Sequence, residues 1–315
     1  MIISSCPLRI SLVGGSTDHP HFLKKYKNGS VISFASNLKA YTIIHRDVIG
    51  YNSFHNKYII NYSEKECVNR TSEIKNELVR YCFEEMNVSE INCYLTSDVF
   101  STGSGLASSS SYLMSLIKSI SHLQGNHLDP HSICQLAKKI EKKFNPLVGE
   151  QDFYGGSFGG FKLINFYEND LPSVELLSDE IFSCFDIYLY YTGVIRESTN
   201  ILKTLDVDKS LPLLEEVKNL HLAIKSINPK LFLDTINKSW EIKKELSPFI
   251  CKGDLELIDK SIISDNRILA HKLCGAGGGG YFILFTAKKE NNLDRDYPGI
   301  KKINISEEGI ICKEI

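Results

Sequence analysis

An excess of charge is what this chain most clearly lacks. Its 315 residues carry 36 Lys and Arg against 38 Asp and Glu, a formal net charge of −2. A chain this balanced has no global basic field to draw it to nucleic acid or to an anionic membrane surface, so neither is expected as a partner. No run approaches the roughly 20 apolar residues of a membrane span. The nine cysteines are scattered, with no Cys-x-x-Cys pair and no Cys/His cluster of zinc spacing. That pattern reads as reduced thiols in a cytoplasmic protein. Met1 to Pro7 lack the basic segment and long apolar run of a secretory signal. Apolar residues make up 43% and charged residues 23% of the chain, ordinary for one large globular domain or two smaller ones.

What the chain does have is glycine in unusual settings. Residues 98–117 run from Asp98 through Gly103-Ser104-Gly105-Leu106-Ala107-Ser108-Ser109-Ser110-Ser111 into Tyr112, Leu113, Leu116 and Ile117. Gly/Ser runs are commonly flexible linkers, but these flanks argue otherwise. Ile91 to Leu95 is β-prone, and the residues after Ser111 are apolar at helical spacing. A strand–loop–helix junction with glycine in the turn lets backbone N–H groups approach an anion, with the helix N-terminus aimed at the same point. It is not a Walker A loop, because no Gly-Lys-Ser/Thr follows. Ser108 occupies the third glycine position of a dinucleotide fingerprint, which excludes that too.

Along the chain, strands are expected at 31–35, 40–46, 57–62, 91–96, 161–166, 185–191 and 281–285. Helices are expected from Glu73 to Met86, from an Asp129-Pro130 cap up to Asn145-Pro146, and over 211–227, 229–246 and 254–272. The polar stretch from Glu168 to Ser173 is the candidate boundary between units 1–170 and 171–315. This order gives an α+β fold. Lysine clusters such as Lys138-Lys139 with Lys142-Lys143 read as solvated helix faces.

Two more glycine windows flank the first. One is Pro7-Leu8-Arg9-Ile10-Ser11-Leu12-Val13-Gly14-Gly15-Ser16-Thr17-Asp18, and the other is Lys272-Leu273-Cys274-Gly275-Ala276-Gly277-Gly278-Gly279-Gly280. Each taken alone is compatible with a turn or a bulged hairpin. Taken in order, the three resemble the GHMP small-molecule kinases over nearly the whole chain. Gly14 to Asp18, Val148 to Tyr154 and Phe158 to Phe161 are most similar to the bacterial D-glycero-D-manno-heptose 7-phosphate kinases of that family.

The resemblance implies a two-lobed fold, with an N-terminal α/β lobe and a C-terminal ferredoxin-like α+β lobe. It implies ATP and Mg²⁺ as cofactors and a sugar or sugar phosphate as acceptor. Gly103, Ser104, Gly105, Leu106, Ala107, Ser108, Ser109 and Ser110 would hold the ATP phosphates. Ser109 and Glu141 would hold the metal. Asp152 would act as base, paired with Arg9. Asp18, with Gly15 and Thr17, would bind sugar hydroxyls, and Thr192, Arg196, Lys272, Gly275 and Gly277 would complete the acceptor site. One hydroxyl, one carboxylate and ATP oxygens suit Mg²⁺, and a planar guanidinium such as Arg196 suits a phosphate.

There are departures. Ser101 replaces the family's usual proline, Ala107 a glycine, and Cys274 a serine or threonine. Two other readings stay open: a galactokinase- or fucokinase-like sugar 1-kinase, and a catalytically silent sugar- and nucleotide-binding regulator on the same fold.

Overall fold

The computed structural model describes residues 1–47, 57–100, 103–194, 204–288 and 292–315. β1 (Ile2–Val13) and β2 (Asn28–His45) form its backbone, an antiparallel pair in which β1 is almost wholly buried and the second half of β2 alternates between buried and partly exposed residues. β2 is one strand where the sequence suggested two, because its ends have different partners. Its first half pairs with β6 (Phe161–Tyr167) and its second half with β5 (Ile91–Ser97). β3 (Tyr58–Asn61) and β4 (Lys65–Val68) extend the sheet beyond β5, and β7 (Ser173–Leu176) pairs with β6. β12 (Ile311–Glu314) returns from the chain's end to pair with β1.

A second, four-stranded antiparallel sheet has the order β11 (Lys301–Ile303), β8 (Phe185–Tyr191), β10 (Tyr281–Ala287), β9 (Ile268–Leu273). The fold is thus α+β, as expected. One expected helix, 254–272, divides. It ends at Ser264, and residues 268–273 become β9, because Ala270 to Leu273 pair with the apolar β10 and are buried there. Three-dimensional pairing overrides the local apolar spacing.

Helices α1 (Pro20–Tyr26), α2 (Glu77–Glu85), α3 (Ser108–Leu123), α4 (Pro130–Glu141) and α5 (Gln151–Ser157) belong to the first half of the chain. α6 (Leu213–Lys225), α7 (Pro229–Lys244) and α8 (Asp254–Ser264) belong to the second. α4 starts as its sequence predicts, with the Asp129 side chain accepting from Ser132 N and Pro130 at the first position. One core lies between the first sheet and α2–α5 and includes Ile44, Phe83, Leu113, Ile117 and Phe153. A second joins the sheet's opposite face to α6, α7 and the second sheet through Ile10, Phe34, Leu220, Phe232 and Phe285. A third covers the far side of the second sheet around Phe282 and Leu284.

β1 has a register irregularity between Pro7 and Arg9. Before it, Ile2 and Cys6 face the helical core. After it, Leu8, Ile10 and Leu12 face the second core. The bulge therefore turns Arg9 and Ser11 toward the helices.

Candidate active site

Arg9 and Ser11 look into a cavity of about 460 Å³. Its walls are the turn after β1, the glycine loop with the start of α3, the end of α4 with the loop into α5, and the edge formed by α7, β9 and Gly275.

The glycine loop is built to present backbone. Gly103 and Gly105 have φ of 63° and 79°, and Ala107, the N-cap of α3, has φ of 60°. Ala107 therefore sits in a left-handed conformation that glycine adopts more cheaply, which gives the family's glycine its physical reason. The Ala107 side chain caps nothing, so the first N–H groups of this 16-residue helix stay available at the cavity. Ser104 and Ser108 bond each other at 2.8 Å, and Ser104 Oγ also accepts from Leu106 N, so these hydroxyls shape the loop. Leu106 is buried in the second core, and its carbonyl accepts from Arg9 N.

Ser109, Ser110 and Glu141 all line the cavity. Ser109 is exposed on the first turn of α3, whereas buried Ser110 donates to Glu141 Oε2 at 2.9 Å. Glu141 Oε1 accepts from Asn145 Nδ2 at 3.3 Å. Burial, and then the negative charge of Asp152, push the Glu141 carboxyl up to about 7. No Lys, Arg or His among the described residues pairs with it. A divalent cation fits that deficit: a desolvated carboxylate, neighbouring hydroxyls and an open side.

At the centre, Arg9 pairs with Asp152 through Nη2, and its Nη1 reaches Gly105 O at 3.5 Å. The guanidinium thus ties the aspartate to the glycine loop. Gly155 lets this happen: a Cβ there would lie 2.2 Å from Arg9 Cγ. Asp18 is buried and bound at both oxygens by Gln151, from N at 3.0 Å and from Nε2 at 2.8 Å. Burial raises its carboxyl to about 6 against the pull of those bonds. Gly149 makes room for it, since a Cβ would stand 2.0 Å from Asp18 Oδ2. Asp18, Gln151 and Asp152 thus form one unit.

The remaining expected residues separate into two groups. Gly15, Lys272 and Gly275 line the cavity. Thr17 does not: its hydroxyl donates to Gly14 O and Ser30 O and accepts from Ser30 N, so it holds the turn. Thr192 is likewise engaged with Gly280 O at 2.8 Å, and Gly277 packs on Ile250. Arg196, like Ser101, lies outside the described residues.

Among the cavity residues that the sequence reading did not assign to the site are Ser11, His19, Gln151, Ser239 and Lys243. Buried Ser11 Oγ and His19 Nε2 have no hydrogen-bond partner among the described residues. His19 Nδ1 accepts from His21 N, which leaves the Nε2 proton for the cavity, and burial lowers this imidazole to about 4. Lys243 donates to Leu273 O and Gly275 O. Of these, Ser11, in the first glycine window, and Gln151, beside Asp152, had a local signal in the sequence.

A helix N-terminus opening on a glycine loop, a carboxylate short of a cation and a carboxylate–guanidinium pair define a phosphoryl-transfer enzyme. Residues 71–160 match the family model described as the GHMP kinases N terminal domain. That segment is therefore of the GHMP kinase type.

The chain is 29% identical, over 98% of its own length and 98% of the relative's, to a D-glycero-alpha-D-manno-heptose 7-phosphate kinase of Campylobacter jejuni. It is 27% identical to an L-fucokinase/L-fucose-1-P guanylyltransferase of Bacteroides fragilis, over 88% of this chain but 34% of that protein. The crystal structure of a D-glycero-D-manno-heptose 1-phosphate kinase from Bacteroides thetaiotaomicron superposes with a TM-score of 0.79 at 20% identity, covering 100% of this chain and 99% of that one. No helix among the described residues is long and apolar enough to cross a membrane.

Proposed function

We propose that this sugar kinase transfers the γ-phosphoryl group of ATP to the anomeric hydroxyl of D-glycero-D-manno-heptose 7-phosphate. The observation that carries the reading is the grouping of Asp152, Arg9 and Asp18 in one cavity with the glycine loop and Glu141. The heptose-phosphate acceptor is supported by the end-to-end similarity to the Campylobacter enzyme.

The acceptor hydroxyl loses its proton to Asp152 as its oxygen bonds to phosphorus and the bond to ADP breaks. Arg9 holds the aspartate in register with the glycine loop, where the transferring group lies. Asp18, fixed by Gln151, orients sugar hydroxyls. The cavity-lining residues Gly103, Ser104, Gly105 and Ala107 to Ser110 bind phosphate oxygens through backbone N–H groups, whereas the Leu106 N–H is taken by Ser104 Oγ; Ser109 and Glu141, with Ser110 behind the carboxylate, would hold Mg²⁺. That ion, when bound, neutralises phosphate charge. Most of the acceleration then comes from positioning and charge neutralisation.

A second reading, a sugar 1-kinase acting on an unphosphorylated sugar, is favoured by the similarity to the fucokinase. Incubation with ATP, Mg²⁺ and a panel of sugars and sugar phosphates, followed by phosphorus NMR of the products, separates them. The heptose 7-phosphate is expected to give the 1,7-bisphosphate. A product from free fucose or galactose alone would establish the second reading. Binding of sugar and nucleotide with no phosphoryl transfer would establish a silent regulator.

A further inference from the structure

We infer that Lys243, Lys272 and Ser239 form a receptor for a phosphate already carried by the acceptor. The inference rests on the sugar-kinase reading and deepens it, because it makes the phosphorylated sugar the preferred substrate.

Three cationic side chains line the cavity: Arg9, Lys243 and Lys272. The charge of Arg9 is already matched by Asp152. Lys272, on β9, is 4% exposed, and its ammonium donates to Leu12 O. No carboxylate among the described residues pairs with it. Lys243 is 8% exposed on α7, where its ammonium donates to Leu273 O and Gly275 O. Ser239 lies one turn earlier on the same face of α7, and its hydroxyl reaches the carbonyl that also receives Lys272, Leu12 O, at 3.4 Å.

α7 and β9 thus bring two ammonium groups and a hydroxyl to one edge of the cavity, beside the turn that carries Gly15 and Asp18. The buried Lys272 ammonium, with only a carbonyl as its partner here, needs an anion to offset its lost hydration. An unphosphorylated sugar brings none. A phosphate monoester brings about two negative charges and three acceptor oxygens. The orphan hydroxyl of Ser11, on the same strand end, supplies a further donor. The glycine loop and α3 serve the nucleotide, so this edge is left for the acceptor's own phosphate.

The test is calorimetric titration of D-glycero-D-manno-heptose 7-phosphate, of the unphosphorylated heptose, and of ATP with Mg²⁺. Each is titrated into the full chain and into Lys243→Met, Lys272→Met and Ser239→Ala variants. Each lysine change is expected to weaken the phosphate ester at least tenfold, and the free heptose and ATP less than threefold. Ser239→Ala is expected to weaken the ester three- to tenfold. If Lys243→Met does not fold, Lys243→Gln removes the charge while keeping a donor for the two carbonyls, and the same ratio is read.

Equal losses for both sugars, or losses confined to ATP, would overturn the receptor. So would a wild-type chain with no preference for the ester, or a preference removed by Arg196→Ala but not by the lysine variants. Binding is read without turnover. A chain that binds the ester through these lysines yet transfers no phosphoryl group therefore refutes the kinase reading and leaves the receptor standing.

Discussion

The two sides of the cavity hold opposite charges in the same condition. On the side of α3 and α4, Glu141 is buried with hydroxyl and amide partners and no cation. On the side of α7 and β9, Lys272 is buried with a carbonyl partner and no carboxylate. Each side is incomplete in a way that names its ligand by charge: a cation for the first, an anion for the second. Arg9 and Asp152 lie between them and match each other's charge. On the proposed function the outer residues are held for charges the ligands bring, whereas the central pair is charge-matched in advance, with only Arg9 Nε left without a partner among the described residues. Such preorganisation is bought with folding stability.

The largest effect should come from the centre. Asp152→Asn keeps shape and removes the proposed proton acceptor and the charged partner of Arg9. Turnover is expected to fall by roughly 10²- to 10⁴-fold, the usual contribution of general base catalysis, while ATP affinity measured by titration stays within threefold. Near-normal turnover would remove Asp152 from the mechanism and leave the two sides without a reacting centre between them.

A change on one side alone tests their independence. Gly149→Ala places a Cβ where Asp18 Oδ2 now lies. The carboxylate must leave Gln151, so acceptor binding should weaken by about ten- to a hundredfold, the worth of charged hydrogen bonds. The KM for ATP should hardly move. Parallel loss of both affinities would show that the two sides are one mechanical unit.

Much of this was legible in the sequence where backbone conformation or local capping sets the structure. The glycine loop and the Asp129-Pro130 helix start sit in short windows with their own signals, whereas Glu141, Arg9 and Asp152 stood out only through the family resemblance. What was not legible depended on pairing between distant segments. β9 reads as helix in the sequence because its partner β10 lies beyond a glycine turn. Lys243 and Ser239 carry no local mark. They matter because α7 packs along β9 and its last turn reaches Leu273 and Gly275. Thr17 looks like a ligand contact from its place beside Asp18, yet its hydroxyl closes the turn onto Ser30. Spacing identifies a window, but only packing says which of two neighbouring side chains faces in.

The smallest expected effect reads the comparison as stability in metal-free, substrate-free protein. Glu141 keeps its proton to about pH 7 in the folded state, against an ordinary value of 4.5. The unfolded chain releases it earlier, so folding loses stability as pH rises from about 4.5 through 7. Lys272 runs the other way. Its folded value is near 8 against 10.5, so the unfolded chain holds its proton longer and the cost is full below pH 8 and gone above 10.5. Each charge therefore costs on the order of 3 kcal/mol where it is fully ionised. Glu141→Gln should raise the Tm by a few degrees at pH 8 in EDTA and leave it nearly unchanged at pH 4. Lys272→Met should raise it at pH 7 and lose that advantage by pH 10.5. Adding Mg²⁺ should raise the wild-type Tm at pH 8 by mass action but not that of Glu141→Gln. If both substitutions destabilise the empty protein at these pH values, the two charges are structural and the sides of the cavity are not waiting for ligands.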